Sequence, residues 1–120
     1  SVIGEVRSPG IYKFIGKTHI MDVIAQAQGF TDRAKLASLV IIRESQDSND
    51  PKENLIVVDI KGILKGKIEN NIEIQPYDII YVSRTFISNA KEFYDNWITP
   101  VMNTAIDYET YKSIRRSRHR

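Results

Sequence analysis

Ile20-Met21-Asp22-Val23-Ile24-Ala25-Gln26-Ala27-Gln28-Gly29-Phe30 places apolar residues at 20, 23, 24 and 27, the i, i+3, i+4, i+7 spacing that gathers one stripe of a helix toward a core. Thr18 is the expected N-cap. Gly29 stands where a left-handed residue closes a helix, and Phe30 behind it supplies the apolar contact of such a closure. On both sides of this helix the period drops to that of strands. Upstream, Val2-Ile3-Gly4-Glu5-Val6 and Ile11-Tyr12-Lys13-Phe14-Ile15 flank Arg7-Ser8-Pro9-Gly10, which reads as a hairpin. In it Pro9 presets φ at the first turn position and Gly10 supplies a positive φ at the second. Downstream, Leu39-Val40-Ile41-Ile42-Arg43 reads as a strand buried on both faces, Ser45 to Asn54 as a solvated loop, and Leu55 to Ile60 as another strand. One helical turn is expected over Lys61 to Lys65, alternation returns over Asn70 to Ile74, and Gln75-Pro76-Tyr77-Asp78 turns the chain into Ile79-Ile80-Tyr81-Val82. Residues 1–84 are therefore expected to form an α+β domain with a small mixed sheet of five or six short strands and one main helix.

From Phe86 the pattern changes again. Ile87, Ala90, Tyr94, Trp97, Val101, Thr104, Tyr108 and Tyr111 follow one another at steps of three and four, with Phe93, Ile98, Met102 and Ala105 widening the stripe. Residues 85–120 are thus expected to be an amphipathic helix with a basic tail, kinked or restarted at Pro100 because an interior proline costs ~3 kcal/mol. If helical from Phe86 to Tyr111, the segment is about 39 Å long, more than the ~30 Å hydrocarbon core of a bilayer. Phe86, Phe93, Tyr94 and Trp97 crowd one end and Tyr108 and Tyr111 lie near the other, an arrangement like two interfacial belts. The opposite face is rich in Asn and Thr, so one copy could not span lipid alone, whereas a ring of copies could line a lumen with it. The plainer reading is a helix that packs on its own domain or on a partner.

Composition narrows the classes. With 120 residues, 42% hydrophobic and 27% charged, the chain fits one compact domain or a smaller domain with an appendage. Its net charge of +2 lies wholly in the tail, mainly in Arg115, Arg116, Arg118 and Arg120. No aromatic side chains interleave with these arginines, so a solvated helix end or a membrane-surface anchor explains them better than nucleic-acid recognition. The absence of cysteine excludes disulfides, thiolate metal sites and thiol nucleophiles. No run of about 18 apolar residues is present. Because the chain opens at Ser1, inside a strand pattern, it is expected to be a piece of a longer protein whose targeting signal lies upstream.

Catalysis is not expected. His19, at a helix start, and His119, in the basic end, have no triad or zinc arrangement, and no phosphate-binding glycine motif occurs. Asp22 with Asp32, or Glu73 with Asp78, are carboxylate pairs that spacing alone does not select. No metal or cofactor is implied.

Three runs carry a family resemblance: Gly4-Glu5-Val6-Arg7-Ser8-Pro9-Gly10-Ile11-Tyr12, then Ile20 through Gly29-Phe30 to Ala34, then Ile74-Gln75-Pro76-Tyr77-Asp78-Ile79-Ile80-Tyr81-Val82. Together, over residues 2–84, they resemble a soluble ligand-binding β-grasp (SLBB) domain, and more narrowly the last such domain of the outer-membrane polysaccharide export family. Gly4, Pro9, Gly10, Gly29, Phe30, Pro76 and Asp78 are the motif positions, structural in role. Two positions depart from the family pattern: Gln28 stands where a first glycine is usual, and Tyr77 where the family has the glycine of Pro-Gly-Asp. Each alters a turn.

The resemblance implies a non-catalytic, homo-oligomeric ring in the bacterial cell envelope, in the periplasm and outer membrane, through which capsular or exopolysaccharide passes. It also implies a C-terminal helix in the outer membrane, built here on Phe86, Ile87, Phe93, Tyr94, Trp97, Val101, Tyr108 and Tyr111, and admits an inner-membrane polysaccharide copolymerase as partner. A lipoprotein signal and acylated cysteine would lie upstream. The alternative is a ligand-binding or interaction module whose tail docks on a partner. Tyr12 and Tyr77 are the exposed aromatic candidates for sugar stacking, against the plainer reading that both cover the edge of the core.

Overall fold

A computed structural model describes residues 1–43 and 54–100. Four strands, β1 (Val2–Gly4), β2 (Leu39–Ile42), β3 (Leu55–Val58) and β4 (Ile79–Val82), form one sheet in the order β1-β4-β2-β3. β4, last in sequence, lies between β1, to which it is parallel, and β2, to which it is antiparallel. β3 completes the sheet antiparallel to β2, with Leu39 opposite Val58 and Ile42 opposite Leu55. The helices are α1 (Ile20–Gln26), α2 (Ile60–Leu64) and α3 (Ala90–Phe93), and a 3₁₀ turn spans Ile68–Asn70.

Strand alternation gives the sheet two apolar faces. Leu39 and Ile41 of β2, Val58 of β3 and Ile80 and Val82 of β4 meet Ile20, Val23, Ile24 and Ala27 from α1 and its end. The intervening residues Val40, Leu55, Val57 and Tyr81 point the other way and meet Ile87, Ala90, Phe93, Tyr94 and Ile98. A β2 buried on both faces, as its run of β-branched residues suggests, is thus obtained, with α1 on one side and the start of the tail on the other. The fold is α+β around a small mixed sheet, as expected.

Several local expectations are corrected. The N-terminal hairpin reduces to a single bridge in which Val2 and Gly10 exchange backbone hydrogen bonds of 2.8 and 2.9 Å. Gly10 does not take a positive φ. Gly4 does, at +89°, where a Cβ would stand 2.2 Å from the Val82 carbonyl oxygen. That turn ends β1, and Arg7 and Ser8 then donate to the carbonyls of Gly29 and Ala27 at the end of α1; among the described residues Ile11–Ile15 joins no strand. Residues 70–74 likewise make a bridge, His19 to Glu73, instead of a strand, so the described residues contain four strands and not five or six. The expected loop at 45–54 lies outside the described residues except for Asn54, which is buried.

The helix ends also differ. His19, not Thr18, caps α1, and its backbone N–H donates to the Asp22 carboxylate at 2.9 Å. Thr18 is instead buried and accepts from the Ile74 N–H at 2.7 Å. At the other end Gln28 donates to Ala25 and Gly29 to Ile24, a Schellman closure one residue earlier than expected, so Gln28 at φ +65° is the C′ residue and Gly29 at φ +87° follows it.

The tail does not become helical at Phe86. Asn89 caps α3 by accepting from the Glu92 N–H at 2.9 Å, and the Glu92 carboxylate accepts from the side chain and the N–H of Ser88. Those bonds, the side-chain one first, hold the exposed Glu92 carboxyl below its ordinary range. Before α3, the hydroxyl of the buried Ser38 bridges both backbone groups of Ile87, at 2.7 and 3.3 Å. After it, Tyr94–Ile98 is π-helical, with the Thr99 N–H reaching back to the Tyr94 carbonyl. This widening directly precedes Pro100, which lacks an N–H and would crowd the carbonyl four residues earlier in a regular helix. The described helix runs on through Thr99, which is itself helical, to Pro100, and the course of the chain after the proline lies outside the described residues.

Phe93 is 4% exposed and Trp97 46%. Phe93→Ala is therefore expected to lower stability by about 3 kcal/mol, while Trp97→Ala changes it by less than about 1 kcal/mol. Urea denaturation of both variants checks this; equal losses would mean the tail is not held by Phe93.

Candidate cleft beside the Pro76–Asp78 turn

Asp78 organises this end of the molecule. Its side chain is fully buried, and Arg43, projecting from the end of β2, grips it with two bonds, Nε to Oδ1 at 3.1 Å and Nη2 to Oδ2 at 2.9 Å. The same Oδ2 accepts from the Gln75 N–H at 2.9 Å, and Arg43 Nη2 also donates to the Glu73 carbonyl at 3.1 Å. The turn is closed by the Asp78 N–H donating to the Gln75 carbonyl at 3.2 Å. Between them Pro76 fits the fixed-φ position, and Tyr77 takes the next at φ +68°, where the turn geometry favours glycine.

Opposite this turn runs the extended segment Ile11–Ile15. Tyr12 and Phe14 point inward against the main core, their ring centroids 6.4 Å apart, while Ile11 and Ile15 stand in solvent. The Tyr12 hydroxyl donates to the Ser8 carbonyl, which fixes the ring. Turn and segment enclose a cleft of about 210 Å³ lined by Tyr12, Phe14, Thr18, Gln75, Tyr77 and Asp78 among others. Tyr77 is 83% exposed, so it covers no core edge, whereas Tyr12 is half-buried and does.

The remaining motif positions support the fold around this cleft. Gly4 and Gly10 serve β1 and its bridge, Gly29 the end of α1, and half-buried Phe30 a bridge to Val6; Pro9 is exposed. Of the carboxylate candidates, Asp78 belongs to Arg43, Asp22 to the cap of α1, and Asp32 lies on the surface. Among the described residues no group of three His, Asp or Glu side chains is placed to hold a metal ion. Of the tail positions, Ile87 (2% exposed) and Phe93 are buried against the sheet, Tyr94 is half-buried, and Phe86 and Trp97 are exposed. Val101, Tyr108, Tyr111, His119 and the arginines at 115, 116, 118 and 120 lie outside the described residues. Among the described residues no helix is long and apolar enough to cross a membrane.

Sequence reasoning missed Arg43 and Ser38. Neither stands in a motif, and each finds its partner, 35 and 49 residues away, only through the sheet.

Residues 1–58 match the SLBB domain family. That domain is a non-catalytic, ligand-binding domain found in polysaccharide export proteins. The match runs from β1 through the last residue of β3, so the cleft takes its Tyr12 wall from the matched part and its Tyr77 wall from beyond it. No curated protein matches the chain.

The ion pair supplies a direct test of the turn. Asp78→Asn leaves the largely covered Arg43 guanidinium without its counter-charge, for an expected loss of about 2–3 kcal/mol. Thermal and urea unfolding measure it, and the loss should shrink when Arg43→Met is added to the same chain.

Proposed function

We propose that this chain is a non-catalytic part of a polysaccharide export assembly, a homo-oligomeric conduit in the bacterial cell envelope that spans periplasm and outer membrane. The observation that carries this reading is the SLBB match over residues 1–58 on a small four-stranded sheet of the corresponding α+β type. In this assembly the domain packs beside its copies, and capsular or exopolysaccharide passes through a hydrated lumen. The C-terminal segment is the contact with the outer membrane, and an inner-membrane polysaccharide copolymerase is the partner on the other side.

The docking of α3 sharpens this picture. Ile87 and Phe93 lie on their own sheet, so in the folded domain these two are not available to lipid, whereas Phe86 and Trp97 are exposed. It also favours a second reading, in which the whole tail packs on protein, its own or a partner's, and the chain is an interaction module.

Two experiments separate these readings. Deleting the encoding segment is expected to abolish surface polysaccharide while its synthesis continues, measured by glycan composition of surface and periplasmic fractions; unchanged surface polysaccharide sinks the export reading. Liposome flotation should compare the whole chain with one stopped after Pro100, because a stop after Arg84 removes the core residues Ile87 and Phe93. Flotation of the whole chain only identifies residues 101–120 as the membrane element; failure of both to float gives the tail to a protein partner.

A further inference from the structure

Tyr77 carries two costs that the fold does not offset. A positive φ costs an L-residue about 1–2 kcal/mol, and for a bulky side chain it is an outlier; Tyr77 holds φ +68°. Its ring stands almost wholly in water, and among the described residues its side chain makes no hydrogen bond and no ring pair. Glycine at this position would remove both costs. Gln28 is the useful comparison: it too is left-handed, but it exposes only an amide.

The surroundings of Tyr77 specify a ligand class. The cleft of about 210 Å³ at its foot is smaller than the ~300 Å³ at which pockets for drug-sized ligands begin. It therefore takes a single ring of a longer chain and not a nucleotide or a macrocycle. Among the described residues that line it, Asp78 is the one charged side chain, and its oxygens are already held by Arg43 and the Gln75 N–H. No charged side chain of the lining is left to pair with an ionic ligand, and the Ser1 amine at its edge donates to the Asp78 carbonyl at 3.3 Å. Among the described residues the side-chain amide of Gln75 and the phenol of Tyr77 have no hydrogen-bond partner. Aromatic faces are electron-rich and attract polarised C–H groups, while the amide and phenol exchange hydrogen bonds with hydroxyls. A neutral pyranose has C–H groups across its ring face and hydroxyls around its edge.

We infer that Tyr77, at the rim of this cleft beside Tyr12, is a stacking platform for one neutral sugar residue of a polysaccharide. The inference rests on the export reading above and adds to it a defined point of contact. Tyr77 holds its exposed pose because the Arg43–Asp78 pair fixes the turn on which it sits.

The test is an amide-resolved NMR titration of the whole chain with cellohexaose, maltohexaose and chitohexaose. At least one is expected to shift the amides of Tyr12, Phe14, Gln75, Tyr77 and Asp78. Tyr77→Trp should keep that binding, and Tyr77→Gly should weaken it at least ~tenfold, equivalent to about 1.4 kcal/mol, while raising the melting temperature. Gln28→Gly should raise the melting temperature and leave binding unchanged. The platform is overturned if Tyr77→Gly binds as the parent chain does, if the shifts lie elsewhere, or if none of the three sugars shifts any amide. In cells the two readings part: wild-type export by Tyr77→Gly overturns the platform alone, whereas unchanged export after deletion of the chain overturns the export reading beneath it.

Discussion

The structure depends on one constraint, a four-stranded sheet that is apolar on both faces and must be covered twice. With Leu39 and Ile41 pointing one way and Val40 the other, β2 cannot leave either side in water without exposing large aliphatic surface. α1 covers the first face with its stripe of Ile20, Val23, Ile24 and Ala27. The second face is covered by Ile87, Phe93 and their neighbours, so a segment that reads as an appendage is part of the packing of the domain. Because β4 is the inner strand between β1 and β2, the chain must travel the length of the domain before its sheet is complete.

From that sheet follows the geometry of the cleft. The end of β2 presents Arg43, the beginning of β4 presents Asp78, and their antiparallel pairing brings these two ends together. An exposed ion pair contributes little, but here the carboxylate is fully covered and also accepts from the Gln75 N–H, so the turn has one well-determined shape. This shape holds Tyr77 in a backbone conformation it would not choose alone. Rigid support for an exposed aromatic suits a binding surface and has no bearing on acid–base chemistry.

The same packing bears on the tail. A helix docked through Phe93 leaves Phe86 and Trp97 outward, on either side of the buried contact. The π turn at Tyr94–Ile98 sets the course of the chain up to Pro100.

Read alone, the sequence determined the parts whose physics is local: the stripe of α1, the buried character of β2, the turn into β4, and the α+β class. It also marked Gln28 and Tyr77 as departures at turns, and both are the left-handed non-glycine residues of the described chain. What it did not determine depends on partners distant in sequence. That the first hairpin shrinks to one bridge between Val2 and Gly10 goes with the turn at Gly4 and with the hydrogen bonds that Arg7 and Ser8 find at the end of α1. Whether Ile87 and Phe93 face lipid, a partner or their own sheet was decided by the unfilled second face, because periodicity defines an apolar stripe but not what the stripe meets. Arg43 and Asp78 look like two unrelated charges until the sheet brings them within hydrogen-bonding distance. Tertiary structure alone made them one interaction, since strand register, and not sequence spacing, sets which side chains become neighbours.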